Sequence, residues 1–224
     1  HNPLRFFYLI MNPGSVMTLG VYFICVFMPV SIAAALLEVL RRPVPKWLTW
    51  TGIVSAFCVA AYTGFLLGVV SAYPLWNNAI LPVLFVVSAL SAGLAATSLV
   101  GLITDRERFE QMWLIKKSHV ILSAIEMVVL ATMLIIVSSG SPEGAASVAS
   151  LVSGQYAPMF WGGLVLLGLV APFAIEGYPV FVTRKVETST TSMVVSVIGE
   201  GGVLVGGFML RLLVILAALP VLYL

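Results

Sequence analysis

Ionisable side chains set inside long apolar runs are where this protein could do chemistry. Glu126, Glu200 and Arg211 stand within such runs, and His119 opens the one that holds Glu126. A charge at the centre of a membrane span costs at least about 2.5 kcal/mol on insertion scales, so each of these residues needs a partner, a wet cavity or a function. Glu126 follows His119 by seven residues and shares a helix face with it, while Glu200 and Arg211 are eleven apart, three turns, on one face of theirs. Carboxylates and an imidazole in rows of this kind can hand protons along, and Arg211 can hold a carboxylate or a water charged. The glutamates could equally be neutral hydrogen-bonding groups that join helices, and the residues alone leave both readings open. Glu38 and Glu176 fall nearer the ends of their runs and read as solvated or paired helix ends.

A second polar insertion is Tyr62-Thr63-Gly64, inside the stretch AYTGFLLGVVSAYPLWNNAILP from Ala61 to Pro82. A phenol hydroxyl left unpaired in hydrocarbon costs roughly 2 to 7 kcal/mol, so Tyr62 must meet a helix, a water or a ligand. Phe65, Leu66 and Val69 continue its face at helical spacing, and Gly64 lets a neighbour come close. The turn that follows, Ala72 to Asn78, is uncharged. Its Tyr73, Trp76, Asn77 and Asn78 offer apolar area and amide hydrogen bonds without desolvating a charge, the makeup of an interface with a partner subunit.

Other chemistries lack their residues. His1 and His119 are the only histidines, too few at membrane depth for a bis-histidine haem, and Cys25 and Cys58 both lie in apolar segments, where a thiol acts as a small hydrophobe. No Cys-x-x-Cys pair, nucleotide loop or Ser-His-Asp set is present, so iron–sulfur clusters would have to sit in another polypeptide. The basic residues lie in short loops and make no nucleic-acid face.

The elements that position these groups are membrane-spanning helices. Of 224 residues, 61% are hydrophobic and 9% charged, against about 25% charged in a soluble domain. Runs of twenty or more apolar residues recur, each long enough to cross a core of about 30 Å. They predict an all-α integral membrane protein, one polytopic domain of six helices at about 16–40, 47–71, 79–103, 118–138, 158–182 and 192–223. The first residue is His1, which suggests that helices precede the sequence given. The segment Ser139 to Ala157 reads as an exposed loop around a short surface helix, and Asp105 to Lys117 as a solvated surface helix. Dense glycines in the last helix, Gly199 to Gly207, read as close helix packing.

Arg41, Arg42 and Lys46, then Arg106, Arg108, Lys116 and Lys117, then Arg184 and Lys185 occupy alternate loops, so they lie on one side, and the positive-inside rule makes that side cytoplasmic. At a rise of 1.5 Å per residue, Tyr62 and Arg211 then lie roughly 14 to 16 Å from the outer ends of their helices, and Glu126 and Glu200 roughly 12 Å from the inner ends.

The stretch from Tyr62 to Pro82, with SALSAGLA at Ser88 to Ala95 after it, resembles the polysulfide reductase membrane-subunit (NrfD-like) family of quinone-interacting proteins. Arg5-Phe6, Asn12-Pro13 and Arg211 add to the likeness. The resemblance implies a subunit without haem, part of an eight-or-more-helix protein built from two four-helix bundles. It implies docking of a ferredoxin-like iron–sulfur subunit and, on that, a catalytic subunit, often molybdopterin-dependent. It also makes Tyr62, with Thr63, Gly64, Phe65, Leu66 and Val69, a binding wall for menaquinone or ubiquinone in a prokaryotic cytoplasmic membrane. The competing readings are a secondary transporter, with bent helices and buried charges as its gates, and a purely structural anchor in which Tyr62 is dispensable.

Overall fold

A computed structural model describes residues 11–12, 14–104, 113–178, 181 and 190–221. The early Arg5-Phe6 pair, Pro13, Arg106, Arg108, Arg184 and Lys185 lie outside the described residues.

Regular structure among the described residues is helical throughout. In hydrocarbon only a helix or a closed barrel satisfies its own backbone, and these runs carry no alternating pattern for a barrel. We number the helices α1 (Val16–Val39), α2 (Lys46–Gly68), α3 (Ile80–Thr104), α4 (Trp113–Gly140), α5 (Pro142–Val152), α6 (Met159–Val170 continued by Ala171–Tyr178) and α7 (Thr190–Leu216). All except α5 are long and apolar enough to cross a membrane, giving six spans.

Helices α3, α4, α6 and α7 close a four-helix bundle, each packed on its two neighbours in the order α3, α4, α6, α7 and back to α3. The α1–α2 hairpin joins it through α2, which packs on α3. Only 6% of the α1 span is buried, against 39% for α3 and α7, so the hairpin is peripheral and the bundle holds the core. Leu81, Leu84, Met133, Leu164, Leu210 and Leu213 fill that core.

Helix α2 ends at Gly68, three residues short of the predicted 71, and three larger differences from the sequence reading follow. Helix α4 begins at Trp113, five residues before Ser118, so Lys116 is helical and not in a loop. Helix α7 stops at Leu216, short of Pro220, and Val221 N–H instead donates to Ala72 at 2.8 Å. The segment after α4 is a packed helix and not an exposed loop. Ser141 caps α5 by accepting from Gly144 N–H at 3.0 Å, with Pro142 next to it as helices favour. Gly144, Ser147 and Leu151 are buried, and Ser147 Oγ accepts from Leu219 N–H at 3.1 Å, tying α5 to the end of α7.

The first twelve residues of α6 wind as a π-helix, with Ala171 N–H bonded to Leu166 C=O five residues back. Its face toward α7 has no bulk: a Cβ on Gly206 would overlap Gly168, and one on Gly202 would strike the Leu167 carbonyl at 2.5 Å. Gly64 is a second such point, since a Cβ there would overlap the Pro82 backbone of α3. We expect Gly206→Ala to destabilise the protein by about 1 to 3 kcal/mol through overpacking. Gly201, with nothing within 4 Å, should accept alanine with a change of less than about 1 kcal/mol. Unfolding midpoints in detergent compare the two, and equal effects would contradict the α6–α7 approach.

A candidate buried proton-transfer site

One face of α4 is polar and buried along Lys116, His119, Ser123 and Glu126. The spacing, three, four and three residues, keeps all four in one row. Opposite stands a row on α3 with buried Ser88, Ser91 and Ser98, interrupted by Ala95, and a row on α7 with buried Ser196 and Glu200. Glu176 completes the set from α6 and is 1% exposed. The bundle therefore wraps its four spans around ionisable groups that the lipid never meets.

At the end nearest the charged loops, Lys116 Nζ lies 3.2 Å from Glu176 Oε2 and donates to Ser196 Oγ at 2.7 Å. Next inward, His119 Nδ1 lies 3.1 Å from Glu200 Oε2, and its Nε2 lies 3.1 Å from the Ser91 carbonyl. Ser98 stands beside the Glu200 carboxyl. Deeper still, Glu126 faces Ser88 and Ser91 and interacts electrostatically with Arg211. The guanidinium donates from a terminal nitrogen to Gly207 C=O at 2.7 Å and sits 5.6 Å from the centre of the Phe85 ring, within cation–π range. Glu126 lies thirteen residues beyond Trp113, about 20 Å along α4.

The structure thus brings Glu126, Glu200 and His119 into one buried succession across α3, α4 and α7, with half-buried Arg211 at its end. It adds Lys116, which sequence reasoning gave to a solvated surface stretch, and Glu176, read there as a solvated or paired helix end and found paired with Lys116. Their signal was faint: Lys116 sits in a charge-dense stretch, and Glu176 lies near a helix end beside Pro179. Only the helical register of Lys116 with His119 and Glu126 pointed inward.

The Tyr62 group is elsewhere. The Tyr62 ring packs on Gly20 of α1, where a Cβ would overlap it. Thr63 Oγ1 donates within its own helix to Ala60 C=O at 2.9 Å, Gly64 is buried against α3, Leu66 is half-buried, and Phe65 and Val69 are exposed. Arg211 stands against α3, whereas Tyr62 stands against α1. One turn from Tyr62 begins an apolar groove of about 420 Å³ between α1 and α2, lined by Phe23, Val26, Trp50, Val54, Ser55 and Cys58.

In the α2–α3 turn, Trp76 Nε1–H donates to Val214 C=O at 2.7 Å and stacks on Tyr73 with ring centres 4.2 Å apart. Asn78 Oδ1 accepts from Ile80 N–H at 2.9 Å and caps α3. Asn77 is exposed, and with Ser71, Pro74, Asn78 and Ser141 it lines an open cleft of about 360 Å³.

The family model described as polysulphide reductase, NrfD, matches residues 2–222. The protein is similar to the C subunit of polysulfide reductase from Wolinella succinogenes, 30% identical over 200 residues that cover 78% of the present sequence and 62% of that subunit. It is similar to protein NrfD of Escherichia coli, 30% identical over 182 residues, with 80% and 54% covered. A protein NrfD homolog of Haemophilus influenzae is 28% identical over 166 residues, with 73% and 50% covered. The matched regions are thus 50% to 62% of the length of these relatives. No solved structure matches significantly.

Proposed function

The chain belongs to the polysulphide reductase (NrfD) family, and from that membership we propose that it is the quinone-reactive membrane subunit of a respiratory redox complex. It exchanges electrons between menaquinone or ubiquinone and a ferredoxin-like iron–sulfur subunit, which serves a catalytic subunit of the molybdopterin-dependent kind. The complex sits in a prokaryotic cytoplasmic membrane with the charged loops cytoplasmic, the side that the positive-inside rule favours. Partner contact falls on the opposite face, at Tyr73, Trp76, Asn77 and Asn78, where the open cleft beside Asn77 leaves polar atoms accessible.

The observation that carries this reading is the buried succession from Lys116 to Glu126, with half-buried Arg211 at its end. A passive anchor has no use for carboxylates, an imidazole and a lysine held out of water, each costly to bury. A quinone does, because its two-electron reaction also moves two protons. Glu200 and Glu126 carry those protons through the bundle, with His119 taking part beside Glu200, and Arg211 holds charge at the far end.

The quinone itself is read at Tyr62, with its tail along the apolar α1–α2 groove. A mostly apolar lining, which the groove begun one turn from Tyr62 offers, is what an isoprenoid tail requires. We expect Tyr62→Phe, which keeps the ring on Gly20 and removes the hydroxyl, to lower quinone-linked turnover about tenfold, the worth of one good hydrogen bond. The complex should assemble with normal subunit content. Unchanged quinone kinetics in a complex of normal composition would overturn the site.

A further inference from the structure

We propose that His119 and Glu200 form a one-proton store whose imidazole exchanges its proton through Nδ1 alone, so that Glu200 and not His119 is the branching point of the buried succession. The inference rests on the proton-carrying reading above but is drawn from the pair's own geometry.

A backbone carbonyl only accepts hydrogen bonds. His119 Nε2 lies 3.1 Å from the Ser91 carbonyl, both buried, so Nε2 carries a hydrogen. With Nε2–H fixed, the neutral ring presents a lone pair at Nδ1, and that nitrogen faces Glu200 Oε2 at 3.1 Å. Two lone pairs at this distance in a buried site repel, neither atom has another hydrogen-bond partner, and a single proton held by either one relieves the repulsion. The pair therefore holds one proton, on His119 Nδ1 or on Glu200.

The surroundings set the charge. Lys116 is committed to Glu176 and Ser196, and Ser98 stands beside Glu200. Lys116 with Glu176 sums to zero, and so does the His119–Glu200 pair with its one proton, whichever atom carries it. A buried cluster that sums to zero avoids the cost of an uncompensated charge. Within the pair, transfer breaks the Glu200 O–H bond as the His119 Nδ1–H bond forms, and no electron moves.

A histidine that relays takes a proton at one nitrogen and gives it up at the other. His119 cannot do so without surrendering the Ser91 bond. Its proton leaves by the atom it entered, back to Glu200, whose carboxyl has the Ser98 hydroxyl nearby.

Nitrogen-15 NMR of the complex in lipid, with labelled histidine, tests this directly. His119 signals are identified by their loss in His119→Gln. The expected result is a protonated Nε2 in the wild type and in Glu200→Gln, with the Nδ1 signal shifted by that substitution. Should Glu200→Gln fail to accumulate, Glu200→Asp, which draws the carboxyl back, should shift Nδ1 in its place. A bare Nε2, or an Nδ1 signal indifferent to the residue at Glu200, overturns the proposal. Neither signal depends on quinone. A complex inert toward quinone with the expected signals would refute the functional reading alone, and normal quinone turnover with a bare Nε2 would refute the store alone.

Discussion

Lys116→Met should be the most destabilising substitution in the bundle, costing about 3 to 5 kcal/mol, the range seen when one partner of a buried ion pair is removed. Its ammonium is 3% exposed, 3.2 Å from Glu176 and 2.7 Å from Ser196. Methionine fills the space but leaves Glu176, itself 1% exposed, without a countercharge. We expect little folded protein in the membrane and a strongly lowered unfolding midpoint in a denaturing-detergent titration. The double variant Lys116→Met/Glu176→Gln should recover most of the loss, because no lone charge remains and glutamine keeps its hydrogen-bonding capacity. If the single variant is as stable as the wild type, the pair is reached by water and is not the closed end of the succession.

The second large effect concerns turnover. Glu200→Gln should lower quinone-linked turnover about a hundredfold, the lower end of what a positioned acid or base contributes. The amide keeps the shape and can still donate to His119 Nδ1, so the bundle should stay folded while the exchangeable proton is lost. Glu126→Gln removes the carboxyl that faces Arg211 and should act in the same direction. Turnover of the intact complex, with proton movement followed in vesicles, measures both. Two variants with full turnover and unchanged proton movement would make the glutamates structural and send the protons to the nearer outer surface.

Much of this arrangement was legible in the residues. Six apolar runs gave six spans because a backbone in hydrocarbon has few alternatives to a helix. Glu126, Glu200, His119 and Arg211 stood out because a charge in such a run must be held by something, and three of them do fall on one buried succession with the fourth at its end. Lys116 was hidden by its company: among Asp105, Arg106, Glu107, Arg108 and Lys117 it looks like one more solvated charge. Periodicity cannot say where a charged helix dips below the interface, and the early start of α4 decides it. Glu176 read as a solvated or paired helix end, and its pairing with Lys116 fits the second of these, but a run of residues does not name the partner or the burial. The burial of α5 was not readable either, since Gly144 and Ser147 are small and polar and suit a loop as well as a close-packed helix. Pairings across helices, such as Nδ1 of His119 with Glu200, depend on rotations that no single run encodes.

The most direct measurement is electron exchange between quinol and the iron centres of the assembled complex. A short-chain quinol analogue is added to the purified complex and the iron–sulfur absorption is followed. Quinol should equilibrate with the iron centres only when this subunit is present, and Tyr62→Phe should slow the exchange about tenfold. Equilibration at the same rate without the subunit would contradict the reading, as would a polypeptide that purifies without iron and carries a solute across vesicles.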